Sequence, residues 1–137
     1  MRVLVDSTVW IDFLKNKPTP ETEKLVQLIQ AREDLCVCGF ILTEVLQGIR
    51  EETQYVATKQ QFANLIYLND DKSTFELGAT IYRNLRKQGI TIRNSIDCLI
   101  AAIVVQHDVS LLENDRDYPF IDAHYPLNLL RKTGNRA

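Results

Sequence analysis

Short apolar runs alternate with longer amphipathic segments along this chain. The runs occupy residues 3–5, 35–38, 65–68 and 109–112. Continuous apolar runs of this length are typical of strands buried on both faces, as in a parallel sheet covered by helices. The pattern therefore predicts an α/β fold, a three-layer α/β/α sandwich with a mainly parallel sheet of four to five strands.

The segments between these runs carry apolar residues at helical spacing and begin at polar residues that favour helix N-termini. The remainder of the chain after Asp117, through Pro119 and Pro126, lacks such a pattern, so turns, a short edge strand and a loose basic terminus are expected there. The predicted N-caps are Ser7 or Thr8, Thr19 (with Pro20 at the first helical position), Ser73 (in a capping box with Glu76) and Ser95.

Composition is consistent with a single folded domain over residues 1–137, since 45% of the residues are hydrophobic. No apolar run approaches the ~20 residues that cross a bilayer, so no membrane association is expected. The start of the sequence shows no signal-peptide pattern, and a cytoplasmic location is the resulting prediction. Cys36, Cys38 and Cys98 do not resemble a disulfide framework; packing as small apolar side chains is favoured over a three-ligand metal site.

The net charge of −2 does not by itself indicate nucleic-acid binding, so the distribution of charge matters more than its sum. Two groups of basic residues stand out, and each is compatible with RNA contacts or with an ordinary solvated surface. The first group is Arg83, Arg86, Lys87 and Arg93, and the second is the tail formed by Arg131, Lys132 and Arg136.

Acidic residues recur where the predicted elements meet one edge of the sheet. Asp6 follows the first strand, and Glu44 lies in the helix after the second. Asp97 begins the helix before the fourth strand, which Asp115 and Asp117 follow. Because parallel strands end at the same edge, these side chains are expected to converge. Taken singly, each has another explanation: a helix cap, a solvated helix residue, a favourable charge at a helix N-terminus, or an acidic turn.

Four carboxylates brought together repel one another unless a cation lies between them. Ligand sets made only of oxygen atoms suit hard cations, which favours Mg²⁺ or Mn²⁺ here. Such ions leave coordination positions for a phosphate and a water, as metal-assisted phosphodiester hydrolysis requires. The predicted reaction does not need His107 or His124.

Four segments carry a resemblance to a known family. They are residues 5–12, with Asp6-Ser7-Thr8; 43–48, with Thr43-Glu44; 97–102, with Asp97-Cys98; and 111–118, with Asn114-Asp115-Arg116-Asp117. In order and spacing they resemble the PIN domain, and within it the VapC-type ribonuclease toxins of bacterial and archaeal toxin–antitoxin pairs.

The resemblance implies that Asp6, Glu44, Asp97 and Asp115 bind metal, with Asp117 as an additional acid. It also implies that a hydroxyl group from Ser7 or Thr8 bonds a carboxylate or a metal-bound water. Members of the family are Mg²⁺- or Mn²⁺-dependent RNA endonucleases. They form homodimers and are inhibited by a VapB-type antitoxin, whose C-terminal segment covers the acidic site.

Two other functions stay open at this point. The first is a PIN-like module that binds RNA or protein without cleaving it; such modules usually lack one or more of the acids, and this sequence has them all. The second is an aspartate phosphotransferase or receiver domain. That class requires a second acid beside the first aspartate and a late lysine, whereas Ser7 and Thr8 follow Asp6 here.

Overall fold

A computed structural model describes residues 1–130, so the predicted tail at Arg131, Lys132 and Arg136 lies outside the described residues. The strands are β1 (Arg2–Val5), β2 (Asp34–Val37), β3 (Ile66–Tyr67), β4 (Ser110–Leu112) and β5 (Leu129–Leu130). The helices are α1 (Ser7–Leu14), α2 (Pro20–Gln30), α3 (Gly39–Gln47), α4 (Glu52–Phe62), α5 (Lys72–Lys87), α6 (Ser95–His107) and α7 (Tyr118–Asp122).

The strands form one sheet in the order β3-β2-β1-β4-β5, and every neighbouring pair is parallel. Right-handed crossovers place the helices that link β1, β2 and β3 on one face, and those that return to β4 on the other. The helix contacts divide in the same way, with α1 through α4 in one group and α5 through α7 in the other. The predicted three-layer sandwich is confirmed.

The core lies on both faces of the sheet around the central strands β1 and β4. Val3, Leu4 and Val5 of β1 are completely buried, as expected for a strand covered by helices on both faces. The apolar helix α6 packs against α5. The two helices are antiparallel, as shown by the hydrogen bond from Thr74 near the start of α5 to Gln106 near the end of α6. Despite this apolar helix, nothing within residues 1–130 is both long and apolar enough to cross a membrane.

Two of the predicted helix starts can be compared directly with the hydrogen bonds of the structure. Thr19 caps α2 in a capping box with Thr22, and Pro20 is the first helical residue, as predicted. The predicted box of Ser73 and Glu76 is wrong. The carboxylate of Asp71 caps α5 two residues earlier, because it accepts hydrogen bonds from the backbone N–H groups of both Ser73 and Thr74.

The other two predicted caps are also wrong. Asp6, not Ser7 or Thr8, is the N-cap of α1, and its side chain makes no capping hydrogen bond. Asn94, not Ser95, caps α6 by accepting a hydrogen bond from the N–H of Ile96 at 3.0 Å. Helix α7 was expected to be a turn, whereas the predicted edge strand exists as β5.

Candidate active site

The carboxyl edge of the sheet collects the acidic residues. Asp6 directly follows β1, and its backbone N–H donates to the carbonyl oxygen of Leu112 at 2.9 Å, which extends the pairing of β1 with β4. The loop that carries Asp115 and Asp117 starts just after Leu112, so both central strands end at one pocket. The first turn of α6 brings Asp97 to the same place.

Three carboxylates form the centre of this pocket. One oxygen each from Asp97, Asp115 and Asp117 lies within 4.8 Å of the others, close enough to share a metal ion. The backbone N–H of Asp117 donates to Oδ1 of Asp115 at 2.9 Å, which holds the two acids of the loop in a fixed relation. The loop therefore places the carboxylates of Asp115 and Asp117 next to Asp97 in the first turn of α6.

Asp97 is the most constrained of these acids. It is only 7% exposed, its Oδ1 accepts a hydrogen bond from the hydroxyl of Tyr118 at 3.3 Å, and its Oδ2 has no hydrogen-bond partner within residues 1–130. Burial, together with the negative charges of Asp115 and Asp6, raises the pKa of Asp97 to about 7. An unpartnered carboxylate oxygen in such a place is costly unless a cation approaches it.

Asp6 and Glu44 form the other wall of the pocket. Asp6 is 5% exposed, and burial together with the charges of Glu44 and Asp115 raises its pKa to about 7. Ser7 donates a hydrogen bond from Oγ to Oε1 of Glu44 at 3.0 Å, so the helix that follows β1 orients an acid carried by α3. The charge of Asp6 therefore interacts with those of Glu44, Asp115 and Asp97. Within residues 1–130, the group close enough to share one ion is Asp97, Asp115 and Asp117, without Asp6 or Glu44.

Thr8 has a different part in the geometry from Ser7. Its hydroxyl donates to Oδ1 of Asn114 at 2.7 Å, which ties the start of α1 to the loop after β4. This contact spans two segments far apart in the sequence and lies next to Asp115. Of the two predicted hydroxyl residues, Ser7 contacts the carboxylate of Glu44, whereas Thr8 positions the neighbouring loop and its hydrogen bonding lowers the pKa of Asp6.

The basic residues predicted to contact RNA are only partly gathered at the pocket. Arg93 reaches the acids: its Nε donates to Oδ2 of Asp117 at 3.4 Å, and its Nη2 lies 3.8 Å from Oδ1 of Asp115. Arg83 and Arg93 line a groove of about 460 Å³ beside the pocket. Arg86 lies over the ring of Tyr82, 5.6 Å from its centroid, and Lys87 is exposed in the last turn of α5.

The residues of the pocket fit a hard divalent cation. All the converging ligand atoms are carboxylate oxygens, which Mg²⁺ and Mn²⁺ prefer. The buried Oδ2 of Asp97 accepts no hydrogen bond within residues 1–130, so it is free to bind a cation. No cysteine or histidine contributes to this cluster of residues 97, 115 and 117. The donor set therefore argues against zinc, which favours nitrogen and sulfur ligands.

Comparison with protein families decides which of the possible α/β folds this is. The model of the PIN domain matches residues 3–123, which is most of the chain. The chain belongs to the PIN domain family. The resemblance predicted from the spacing of the acids is therefore confirmed.

Named relatives of this PIN domain are ribonucleases. It is 29% identical over 123 residues to the VapC ribonuclease Mb1587 of Mycobacterium bovis, covering 87% of this chain and 90% of that protein. The figures for ribonuclease VapC11 of Mycobacterium tuberculosis are the same, at 29% identity over 123 residues, 87% of this chain and 90% of the relative.

Solved structures share the fold of this PIN domain at low sequence identity. VapBC-1 from nontypeable Haemophilus influenzae superposes with a TM-score of 0.72 at 21% identity, over 97% of this chain and 99% of that one. VapBC2 from Rickettsia felis, solved with a promoter DNA fragment, gives a TM-score of 0.71 at 17% identity, over 95% and 98% of the two chains. At these identities the likeness supports the fold.

One residue of the PIN-domain pocket was not predicted from the sequence as part of it. Tyr118 is completely buried and bonds Asp97, but its position immediately after Asp117 gave no indication that its side chain would turn inward. Only the packing of α7 brings this side chain to the pocket. Asp70 lines a second groove together with Glu44 and Phe75, and no role was predicted for it from the sequence.

Proposed function

We propose that this PIN domain is a metal-dependent endoribonuclease that hydrolyses RNA phosphodiester bonds. The observation that carries the proposal is the convergence of Asp97, Asp115 and Asp117 within 4.8 Å, with Asp6 buried beside them. So dense a group of carboxylates is unfavourable for folding on its own, and it becomes favourable when a hard cation binds. The ribonuclease names of the relatives support RNA as the substrate.

The proposed ligands of Mg²⁺ or Mn²⁺ are Asp6, Asp97, Asp115 and Asp117, with Glu44 at the rim. When bound, such an ion polarises a phosphate oxygen and lowers the pKa of a coordinated water. The protein residues supply the geometry. Tyr118 restricts the orientation of Asp97, Ser7 restricts that of Glu44, and the backbone N–H of Asp117 restricts that of Asp115.

The groove lined by Arg83 and Arg93 is the proposed path of the RNA backbone. It begins beside the acids and continues along α5, where Tyr82 and Phe75 form part of its wall. Phosphates are neutralised by basic side chains, and this term is independent of sequence. Arg86 and Lys87, at the far end of α5, extend the positive charge; they are proposed as secondary contacts.

We also propose that the protein is the toxin of a type II toxin–antitoxin pair, with a VapB-type antitoxin as its partner. The support is its likeness to VapC ribonucleases and to structures of VapBC complexes. A homodimer and a single nuclease domain over residues 1–137 are part of the same proposal. The cytoplasmic location stays a prediction from the sequence.

The direct test uses the purified chain with a structured RNA, assayed with Mg²⁺, with Mn²⁺ and with EDTA. Cleavage is expected with either metal and is expected to stop in EDTA. Asp6→Asn should lose cleavage, since it removes a buried charge from the pocket. Asp12→Asn is the matched control, because Asp12 lies on the same helix as Ser7 but outside the cluster.

Metal-indifferent RNA binding without cleavage would contradict the enzyme and favour a PIN-like binding module. Cleavage retained in both Asp6→Asn and Asp97→Asn would also exclude the proposed site. The toxin proposal has its own test: induction in a bacterial host should arrest growth, and co-expression of the small open reading frame next to the gene should relieve it. Sedimentation at several concentrations tests the homodimer.

A further inference from the structure

Arg93 is the one basic side chain within residues 1–130 that the structure pairs with the acids of the pocket. We propose that Arg93 is an internal counter-cation, which shares the oxygens of Asp115 and Asp117 with the metal and transfers to a substrate phosphate when the metal binds. This inference rests on the proposed nuclease function. Arg93 therefore pairs with the acids before the metal binds and with the RNA phosphate afterwards, in addition to contributing to the surface charge.

The contacts show that Arg93 and a dication need the same atoms. Nε of Arg93 lies 3.4 Å from Oδ2 of Asp117, and Nη2 lies 3.8 Å from Oδ1 of Asp115. These carboxylates belong to the cluster that is close enough to share one ion. A guanidinium group and a dication repel each other, so each weakens the binding of the other at this pocket.

The geometry also indicates that the side chain can leave. Both ion pairs are longer than the ~2.7–2.9 Å of strong charge-assisted hydrogen bonds. The Arg93 side chain is 59% exposed, whereas that of Asp117 is 9% exposed, so the guanidinium group lies on the solvent side of the acid. Its departure would expose little that is now buried.

The backbone at this position stays anchored when the side chain moves. The N–H of Arg93 also donates to Oδ2 of Asp117 at 3.4 Å, and the preceding Ile92 is almost fully buried in the core. The guanidinium group is therefore held at the mouth of the pocket and within the groove that it lines with Arg83. A phosphate bound at the acids would lie within its reach, and a planar guanidinium group suits phosphate oxygens.

A purely structural role for Arg93 predicts the opposite sign for one measurement. If Arg93 only clamped the loop of Asp115 and Asp117, its removal would loosen the ligands and weaken metal binding. If it competes with the metal, its removal should strengthen metal binding while weakening RNA binding. Two effects of opposite sign from one substitution are difficult to obtain by damage to the fold.

The experiment measures Mn²⁺ binding by titration calorimetry without RNA, and separately the KM and kcat of RNA cleavage at saturating Mg²⁺. In Arg93→Ala the dissociation constant of Mn²⁺ is expected to fall about 2- to 5-fold, the range set by exposed ion pairs. The KM for RNA is expected to rise about 10-fold, and the slope of log KM against log salt to fall by about 0.7, the value for one phosphate contact on a single strand.

Three further variants make the result interpretable. Lys59→Ala removes one exposed charge on α4, and it should change neither measurement. Arg93→Lys keeps the charge without the planar fork, so Mn²⁺ binding should stay close to that of the parent while KM rises. Arg93→Gln keeps a polar N–H donor on a shorter side chain without the charge, and it replaces Arg93→Ala if that variant fails to fold.

An Mn²⁺ affinity that is unchanged or weaker in both Arg93→Ala and Arg93→Gln overturns the inference, as does an unchanged KM. The failure of the proposed function looks different. In that case the parent protein cleaves no RNA, and Asp97→Asn binds Mn²⁺ as the parent does. The parent and Asp97→Asn therefore report on the metal site, and the Arg93 variants report on the counter-cation.

Discussion

The first turn of α6, its charged end, and the turns that follow, its apolar end, are buried to a similar degree, but burial has opposite consequences for them. In the apolar end, Ile100, Ile103 and Val104 are almost completely enclosed by the core. In its first turn Asp97 is 7% exposed and faces other carboxylates. Removal from water stabilises an apolar side chain and destabilises an ionised one.

Contact with α5 explains why the apolar part of α6 is so well packed. A Cβ atom built on Gly78 of α5 would lie 2.5 Å from Cδ2 of Leu99 on α6, so the absence of a side chain allows the two helices to approach closely. This close contact of Gly78 with Leu99 packs α6 against α5 two residues after Asp97, in the turn that follows the charged end. The apolar end of the helix therefore supplies stability, and this stability allows the charged end to hold carboxylates close together.

The largest effect is expected from Asp97→Asn at the charged end. RNA cleavage should fall by about 10³-fold, since an essential charge is removed from the pocket. The fold should become more stable in EDTA near neutral pH, because a buried ionised group is gone. Cleavage assays and thermal unfolding test the two parts.

The matched control is Asp108→Asn at the other end of the same helix. Asp108 is exposed and has a φ of 52°, a left-handed conformation that asparagine tolerates. It should change neither cleavage nor stability much. Equal losses of cleavage in the two variants would mean that the position of the charge on α6 is unimportant.

At the apolar end, Ile103→Ala should lower the free energy of unfolding by about 2–5 kcal/mol, the cost of a cavity in a well-packed core. Ile103 is completely buried, so the surroundings can collapse only in part. Urea denaturation measures the loss, and cleavage per folded molecule should be little changed. A variant that stays fully stable but loses cleavage would contradict the separation of the two ends.

The pH dependence of stability should come mainly from the charged pocket. Burial raises the pKa of Asp6 and Asp97 from 3.8 to about 7, so the folded state binds more protons than the unfolded state between these values. The stability contributed by protonation is present below the unfolded pKa and is lost as pH rises through the folded one. The contribution of these two residues to the free energy of unfolding in EDTA should therefore decrease from about pH 4 to about pH 7.

Other carboxylates titrate at the acidic end of that range, so the informative quantity is a difference between proteins. The free energy of unfolding of the parent, relative to Asp97→Asn, should decline as pH rises toward 7. Added Mg²⁺ should restore it, with a larger gain above pH 7 than near pH 5. A difference independent of pH would indicate that Asp97 is ionised with its ordinary pKa.

The smallest effect is expected from Tyr118→Phe. The hydroxyl donates to Asp97 and favours its ionised form, so its loss should raise the pKa of Asp97 further and weaken Mn²⁺ binding at neutral pH about 2- to 10-fold. Tyr125→Phe is the control, because its hydroxyl accepts a bond from Asn84 away from the pocket. Equal effects of Tyr118→Phe and Tyr125→Phe on Mn²⁺ binding would show that the hydrogen bond from Tyr118 to Asp97 makes no specific contribution to it.

The fold was largely predictable because its signals are local and repetitive. The apolar runs of β1 and β4 and the helical spacing in α6 each follow from the environment that a parallel sheet imposes. The start of α5 was misplaced because Asp71, Ser73 and Thr74 are all good capping residues, and only the backbone geometry selects among them. Helix α7 was missed because five residues are too few to show a period.

The amino-acid order alone shows that acids follow the strands β1 and β4 and begin the last long helix, and parallel strand direction was enough to place them at one edge. The side-chain contacts follow only from the packing of the folded chain: Tyr118 against Asp97, Ser7 against Glu44, and Arg93 against the loop of Asp117. These contacts join segments distant in the chain, and their distances depend on how helices pack on the sheet. Periodicity records which face of an element is buried, but it carries no information about the partner across that face.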